Sequence, residues 1–172
     1  MTATFLLASL LCLELACVWS AELLVELRVT GGIAGVAERL LVFEDGLARV
    51  ELGAGRTVRA ASCAYLGDGQ LRKIRRTLEA AGFEHLQREY VPARPVYDGY
   101  AYSVTYRGST VRALDPLEDA APPDLRAVIR LLQEVLQFVR AGNRSCDDFL
   151  PERRGACVDR VSVGAPCWWR SS

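Results

Sequence analysis

The chain of 172 residues is poor in the groups that usually do chemistry: it has one histidine, His85, one lysine, Lys73, and no Cys-x-x-Cys pair. Histidine is the commonest positioned base of a hydrolase, so such a mechanism would rest on His85 alone. In "GFEHLQ" that residue lies just beyond a helix end, where histidine is ordinarily a surface or cap residue. No GxSxG elbow, HExxH or Cys/His catalytic pattern occurs. The carboxylate pairs Glu44-Asp45, Glu118-Asp119 and Asp147-Asp148 are adjacent residues that point in different directions, and the first belongs to a turn. The chain is therefore read as a non-enzyme, without a cofactor. A surplus of one charge is also missing, with 21 Lys plus Arg against 21 Asp plus Glu. That balance argues against a general nucleic-acid binder, which carries a basic face.

What is present begins with an apolar run from Phe5 to Leu13, too short to cross a bilayer but suited to a signal peptide. Val18 and Ser20 are small residues ahead of Ala21, which places cleavage between Ser20 and Ala21. The expected leader is residues 1–20, and the expected location is secreted or periplasmic. Cys17 after "LELA" offers a lipid anchor as the alternative, which Glu14 three positions earlier disfavours.

Cleavage removes Cys12 and Cys17 and leaves Cys63, Cys146, Cys157 and Cys167. An even number in an exported chain reads as two disulfides with three possible connectivities. A metal site is the weaker reading, because the spacings are wrong and His85 lies far from them in sequence.

Along the mature chain, Val25, Leu27 and Val29 alternate on one face of a first strand. "VAERLLVFEDGLARVEL" reads as a hairpin turning at Asp45-Gly46, a two-residue turn signal. A helix follows in "GDGQLRKIRRTLEAAGFEHL", capped by Asp68, with Leu71, Ile74 and Leu78 on one face and Gly82 as its left-handed stop. "REYVPARPVYDG" is a proline-rich loop, and "YAYSVTYRGSTVRAL" is a second hairpin turning near Gly108. A long helix then starts at Pro123 and carries Leu125, Val128, Ile129, Leu132, Val135, Leu136 and Val139 as a wide apolar stripe. Residues 143–172 hold Cys146, Cys157 and Cys167 with little periodicity, and read as a disulfide-stapled extension, with a tie back to the main domain through Cys63 as one arrangement.

The glycines of "LRVTGGIAGVAERL" lack the spacing of a dinucleotide loop and the Lys-Ser/Thr of a P-loop. They also lead into a strand and not into a helix N-terminus. Taken alone, the stretch reads more readily as a turn than as a partner-facing loop, with Ile33 as its one large side chain. Tyr100, Tyr102 and Tyr106 share a face with Val104, a pattern that ordinarily lines a sheet beneath a helix.

The order of these features resembles the emfourin family, small inhibitors of the thermolysin-like zinc metallopeptidase protealysin. The residues that carry the likeness are Gly31, Gly32 and Gly35, then Asp98, Tyr100 and Tyr102, then Asp115, Pro123 and Leu125, within roughly Leu24 to Val139. This chain differs in its leader, its cysteine-bearing tail and a longer stretch around Cys63. The resemblance implies an inhibitor domain over residues 21–142 that performs no chemistry and obstructs the cleft of a thermolysin-like metallopeptidase. It makes the turn Gly31, Gly32, Ile33, Ala34 and Gly35 the candidate contact loop, with Ile33 as apolar anchor and Asp98, Tyr100 and Asp115 as further candidates. The alternative is a non-inhibitory binding module using the tyrosine face or the tail with Trp168 and Trp169. The expected fold is α+β, with a mostly antiparallel sheet of about five strands packed by two helices.

Overall fold

Alternation decides the first strand. β1 (Leu23–Gly31) turns Val25, Leu27 and Val29 to one side, where all three are buried. The computed structural model describes residues 22–54, 57–94, 96–142 and 144–146. The other strands are β2 (Val36–Phe43), β3 (Leu47–Ala54), β4 (Thr57–Tyr65), β5 (Glu89–Tyr90), β6 (Tyr100–Tyr106) and β7 (Ser109–Leu114). They form one sheet in the order β4-β3-β2-β1-β6-β7-β5, antiparallel except where β5 runs parallel to β7. β1 lies at its centre, with Leu27 opposite Leu40 of β2 and Val104 of β6.

The helices are α1 (Asp68–Ala80), the single turn α2 (Leu117–Ala120) and α3 (Pro123–Ala141), with a 3₁₀ turn at Phe83–His85. The whole expected stripe of α3 is buried, from Leu125 to Val139. It meets Val25, Leu27 and Val29, the tyrosine face of β6, and Ile74 and Leu78 of α1 in one core. Each such aliphatic side chain contributes about 1.5–3 kcal/mol relative to exposure.

The sheet is larger than the periodicity suggests, with seven strands and not five. β4 escapes because the residues on its core side are small and give no hydrophobic alternation: Ala64 packs on the core, Ser62 is half-buried and Ala60 is exposed. α3 packs over β3 and β4, and small residues let a helix approach closely. β5 is only two residues inside the proline-rich loop, joined through Arg112 N–H donating to the Arg88 carbonyl at 2.8 Å.

Two local readings are also corrected. Asp68 is the first residue of α1 and not its cap; Gly67 caps the helix, and its N–H donates to Gln70 Oε1 at 3.1 Å. The β2–β3 connection has three residues, Glu44–Gly46, with Gly46 N–H donating to Phe43 C=O and only Gly46 at positive φ. That is a type I turn followed by a left-handed glycine, a common three-residue hairpin. The second hairpin turns at Arg107-Gly108, both at positive φ, as a two-residue loop requires.

One expected tie is present: Cys63 of β4 is bonded to Cys146. Beside it Cys63 N–H donates to the Arg144 carbonyl at 3.1 Å, and Ser62 pairs with Ser145. Cys157, Cys167, Asp147, Asp148, Trp168 and Trp169 lie outside the described residues, as do the leader and its Cys12 and Cys17. No helix among the described residues is long and apolar enough to cross a membrane.

Candidate functional site

The glycine turn joins β1 to β2 at one end of the sheet. Gly35 N–H donates to Gly32 C=O at 3.0 Å, which closes a four-residue turn around Ile33 and Ala34. Ile33 is 88% exposed at the tip of this turn. Gly31 and Gly32 both have positive φ, and both are crowded. A Cβ on Gly31 would stand 2.5 Å from the Gly99 carbonyl oxygen, and one on Gly32 would stand 3.1–3.2 Å from the ring of Tyr100. Close backbone approach, as well as φ, therefore demands glycine at Gly31, whereas at Gly32 it is the positive φ that favours glycine, with the Tyr100 side chain packed beside it.

The neighbour against which they pack is the loop ahead of β6. Gly99 N–H donates to Val96 C=O at 3.2 Å, and Gly99 C=O accepts from Gly32 N–H at 3.4 Å. Val96 is half exposed, Tyr97 fully exposed and Asp98 exposed at the tip of this loop. Asp115, just past β7, brackets the next residue. Its Oδ2 accepts the Tyr100 N–H at 3.1 Å, while its own N–H donates to Tyr100 C=O at 2.9 Å. Gly99 lies against the same side chain, since a Cβ there would be 3.2 Å from Asp115 Cβ.

Beneath this rim the tyrosine face enters the core. Tyr102 and Tyr106 are buried, and only Tyr100 remains open to solvent. The rings of Tyr100 and Tyr102 are 6.5 Å apart. Burial raises the Tyr102 phenol above its ordinary range, and the negative charge of Asp115 adds to the rise; Gln133 of α3 hydrogen-bonds the same phenol and opposes it.

The fold thus brings Gly31, Gly32, Gly35, Tyr100 and Asp115 together and sets Ile33, Ala34 and Asp98 on the two adjoining tips. The sequence reading missed Val96 and Tyr97. Both sit in "RPVYDG", where proline, aspartate and glycine form turns; two large apolar residues among turn formers were the available signal. Ile33, Val96, Tyr97 and Tyr100 are exposed large side chains on two loops joined by the Gly32–Gly99 bond, and together they are the rim of this site.

The rest of the molecule offers less. His85 is exposed, with its Nε2 at 4.0 Å from Glu84 Oε1. A cavity of about 380 Å³ lies between the 3₁₀ turn and the β6–β7 hairpin, lined by Phe83, Arg88, Thr110 and Val111 among others, at the opposite end of the sheet from the glycine turn. Among the described residues no group of three or more His, Cys, Asp or Glu is placed to hold a metal ion. On the sheet face opposite the core, Glu26 and Glu51 are buried in a ladder of ion pairs. Arg39 joins them, at 2.7 Å from Glu26 and 3.4 Å from Glu51; Arg28 also pairs with Glu26, and Arg49 lies 3.0 Å from Glu51. Burial alone would raise the Glu26 carboxyl, but Arg39 and Arg28 hold it below the usual carboxylate range. Neither a protein-family model nor a curated protein matches the chain.

Proposed function

We propose that this protein is a secreted or periplasmic inhibitor of a thermolysin-like zinc metallopeptidase, and that it acts by obstructing the protease cleft. The family comes from the resemblance to the emfourins; the observation that carries the mode of action is Ile33. A large aliphatic side chain at 88% exposure sits on a turn whose flanking glycines are packed against Gly99 and Tyr100. A loop held in this way loses little conformational entropy on docking, and that is how a small rigid inhibitor binds tightly. Ile33 would enter an apolar pocket of the protease, with Tyr97 and Tyr100 flanking it. The tyrosine face serves a binding module poorly as an alternative surface, because Tyr102 and Tyr106 are buried.

Titration of the purified, disulfide-bonded chain against thermolysin-like enzymes and a serine-protease control tests the reading. Saturable, selective loss of metallopeptidase activity with the chain left uncleaved is the expected outcome. No inhibition across several such enzymes would overturn it and leave a binding role for another partner.

A further inference from the structure

We infer that Asp115 is a positioning residue of the glycine-turn rim, holding Tyr100 and Gly99 in place for the turn without itself touching the partner. The inference rests on the reading of this rim as the partner-binding surface.

The geometry runs in one line from the core to the tip. Asp115 is half-buried, and its Oδ2 is engaged by the Tyr100 N–H at 3.1 Å. An amide donating to a carboxylate is a charge-assisted bond, stronger than a bond between neutral groups. The return bond from Asp115 N–H to Tyr100 C=O extends the β6–β7 ladder by one residue beyond the Ala101–Leu114 pair. Gly99 packs on the same side chain, and its carbonyl receives the Gly32 N–H. The Tyr100 ring fills the space beside Gly32. On the core side, the buried phenol of Tyr102 feels the negative charge of Asp115. One carboxylate therefore joins the end of β7 to the start of β6 and, through Gly99 and Tyr100, to the base of the Ile33 turn.

Between its two ends the turn itself is lightly bonded. Its internal bond is the single Gly35-to-Gly32 contact, and a Cβ on Gly35 would meet nothing within 4 Å. Both its ends are held by the β1–β2 ladder, which closes with Gly31 opposite Val36, and on the β6 side Gly31 and Gly32 lie on Gly99 and Tyr100. Removing the carboxylate should free that base before it disturbs the core, because local openings follow the units that share bonds.

The test uses the full disulfide-bonded chain with Asp115→Ala and Asp115→Asn, read by residue-level amide exchange, urea unfolding and protease inhibition. Asp115→Ala is expected to speed exchange at Tyr100 and Gly32 by about tenfold or more while the amides of β2 and β3 keep their protection. Inhibition should weaken through faster dissociation. Asp115→Asn keeps an oxygen acceptor and should restore most of both effects. Unchanged exchange at Tyr100 and Gly32 in Asp115→Ala would overturn the inference. So would normal exchange in Asp115→Asn combined with full loss of inhibition, since that would make the charge a partner contact. If Asp115→Ala frees these amides but the parent chain inhibits no thermolysin-like enzyme, the positioning role stands and the inhibitor reading falls.

Discussion

The carbonyl oxygen of Gly99 occupies the space that a side chain on Gly31 would need: a Cβ there would lie 2.5 Å from it. Gly31→Ala must therefore move backbone against backbone, and it also places a side chain at φ +123. A loss of about 2 kcal/mol is expected, the scale of a strained backbone position. Gly35→Ala has open space and only the φ of +61 to contend with, so it should lose about 1 kcal/mol. Urea midpoints of the two variants check the order, and equal losses would mean that the Gly99 contact carries no weight.

Ile33→Asp separates the fold from the proposed activity. With the side chain almost wholly in water, unfolding free energy should change by no more than about 0.5 kcal/mol. Inhibition should fall by at least about tenfold, as for the loss of an interface anchor. An Ile33→Asp protein that inhibits as well as the parent would reduce the loop to a turn.

Glu26 makes stability depend on acid. Its carboxyl titrates below the ordinary range in the folded chain, so the unfolded state binds the proton more readily. The associated stability is present above the ordinary glutamate range and is lost as pH falls through the lower, folded value. Glu26→Gln should cost about 1–3 kcal/mol at pH 7, because Arg28 loses its carboxylate and Arg39 is left with Glu51 alone. The variant should also flatten the fall in stability below pH 5, measured by urea unfolding across pH.

Tyr102 reports on the same rim from beneath. Burial, with the Asp115 charge behind it, raises its phenol, so the neutral form is favoured in the folded protein and its share of stability is lost as pH rises past the ordinary tyrosine range. In Asp115→Asn, NMR titration of a ring-labelled chain should show Tyr102 ionising at lower pH than in the parent. An unchanged Tyr102 would mean that burial alone sets the shift.

The bond between Cys63 and Cys146 closes a loop over a sequence separation of 83. Replacing both by alanine should lower unfolding free energy by about 2–4 kcal/mol, through the greater freedom of the unfolded chain. The double variant should still pair β3 with β4, whose register runs from Leu47–Tyr65 to Ala54–Thr57 independently of the bond. Loss of protection throughout β4 would contradict that independence.

Local patterns made much of this protein legible. The alternation of Val25, Leu27 and Val29, the Gly108 turn, the Gly82 stop and the α3 stripe each depend on neighbours a few residues away, and each is realised. β4 was not legible, since its core side carries only small residues, Ser62 and Ala64, over which a helix from far along the chain packs. The site divides in the same way. The sequence alone determined that Gly31, Gly32 and Gly35 bend the chain around Ile33, because backbone freedom is a property of the residue itself. Only the tertiary structure decided that Gly99, Tyr100 and Asp115 stand against that bend, that Val96 and Tyr97 join Ile33 on the rim, and that Cys63 is bonded to Cys146. Those facts follow from β6 and β2 flanking β1 in the sheet and from the tail returning to β4, and strand order is set by long-range packing that no local window contains.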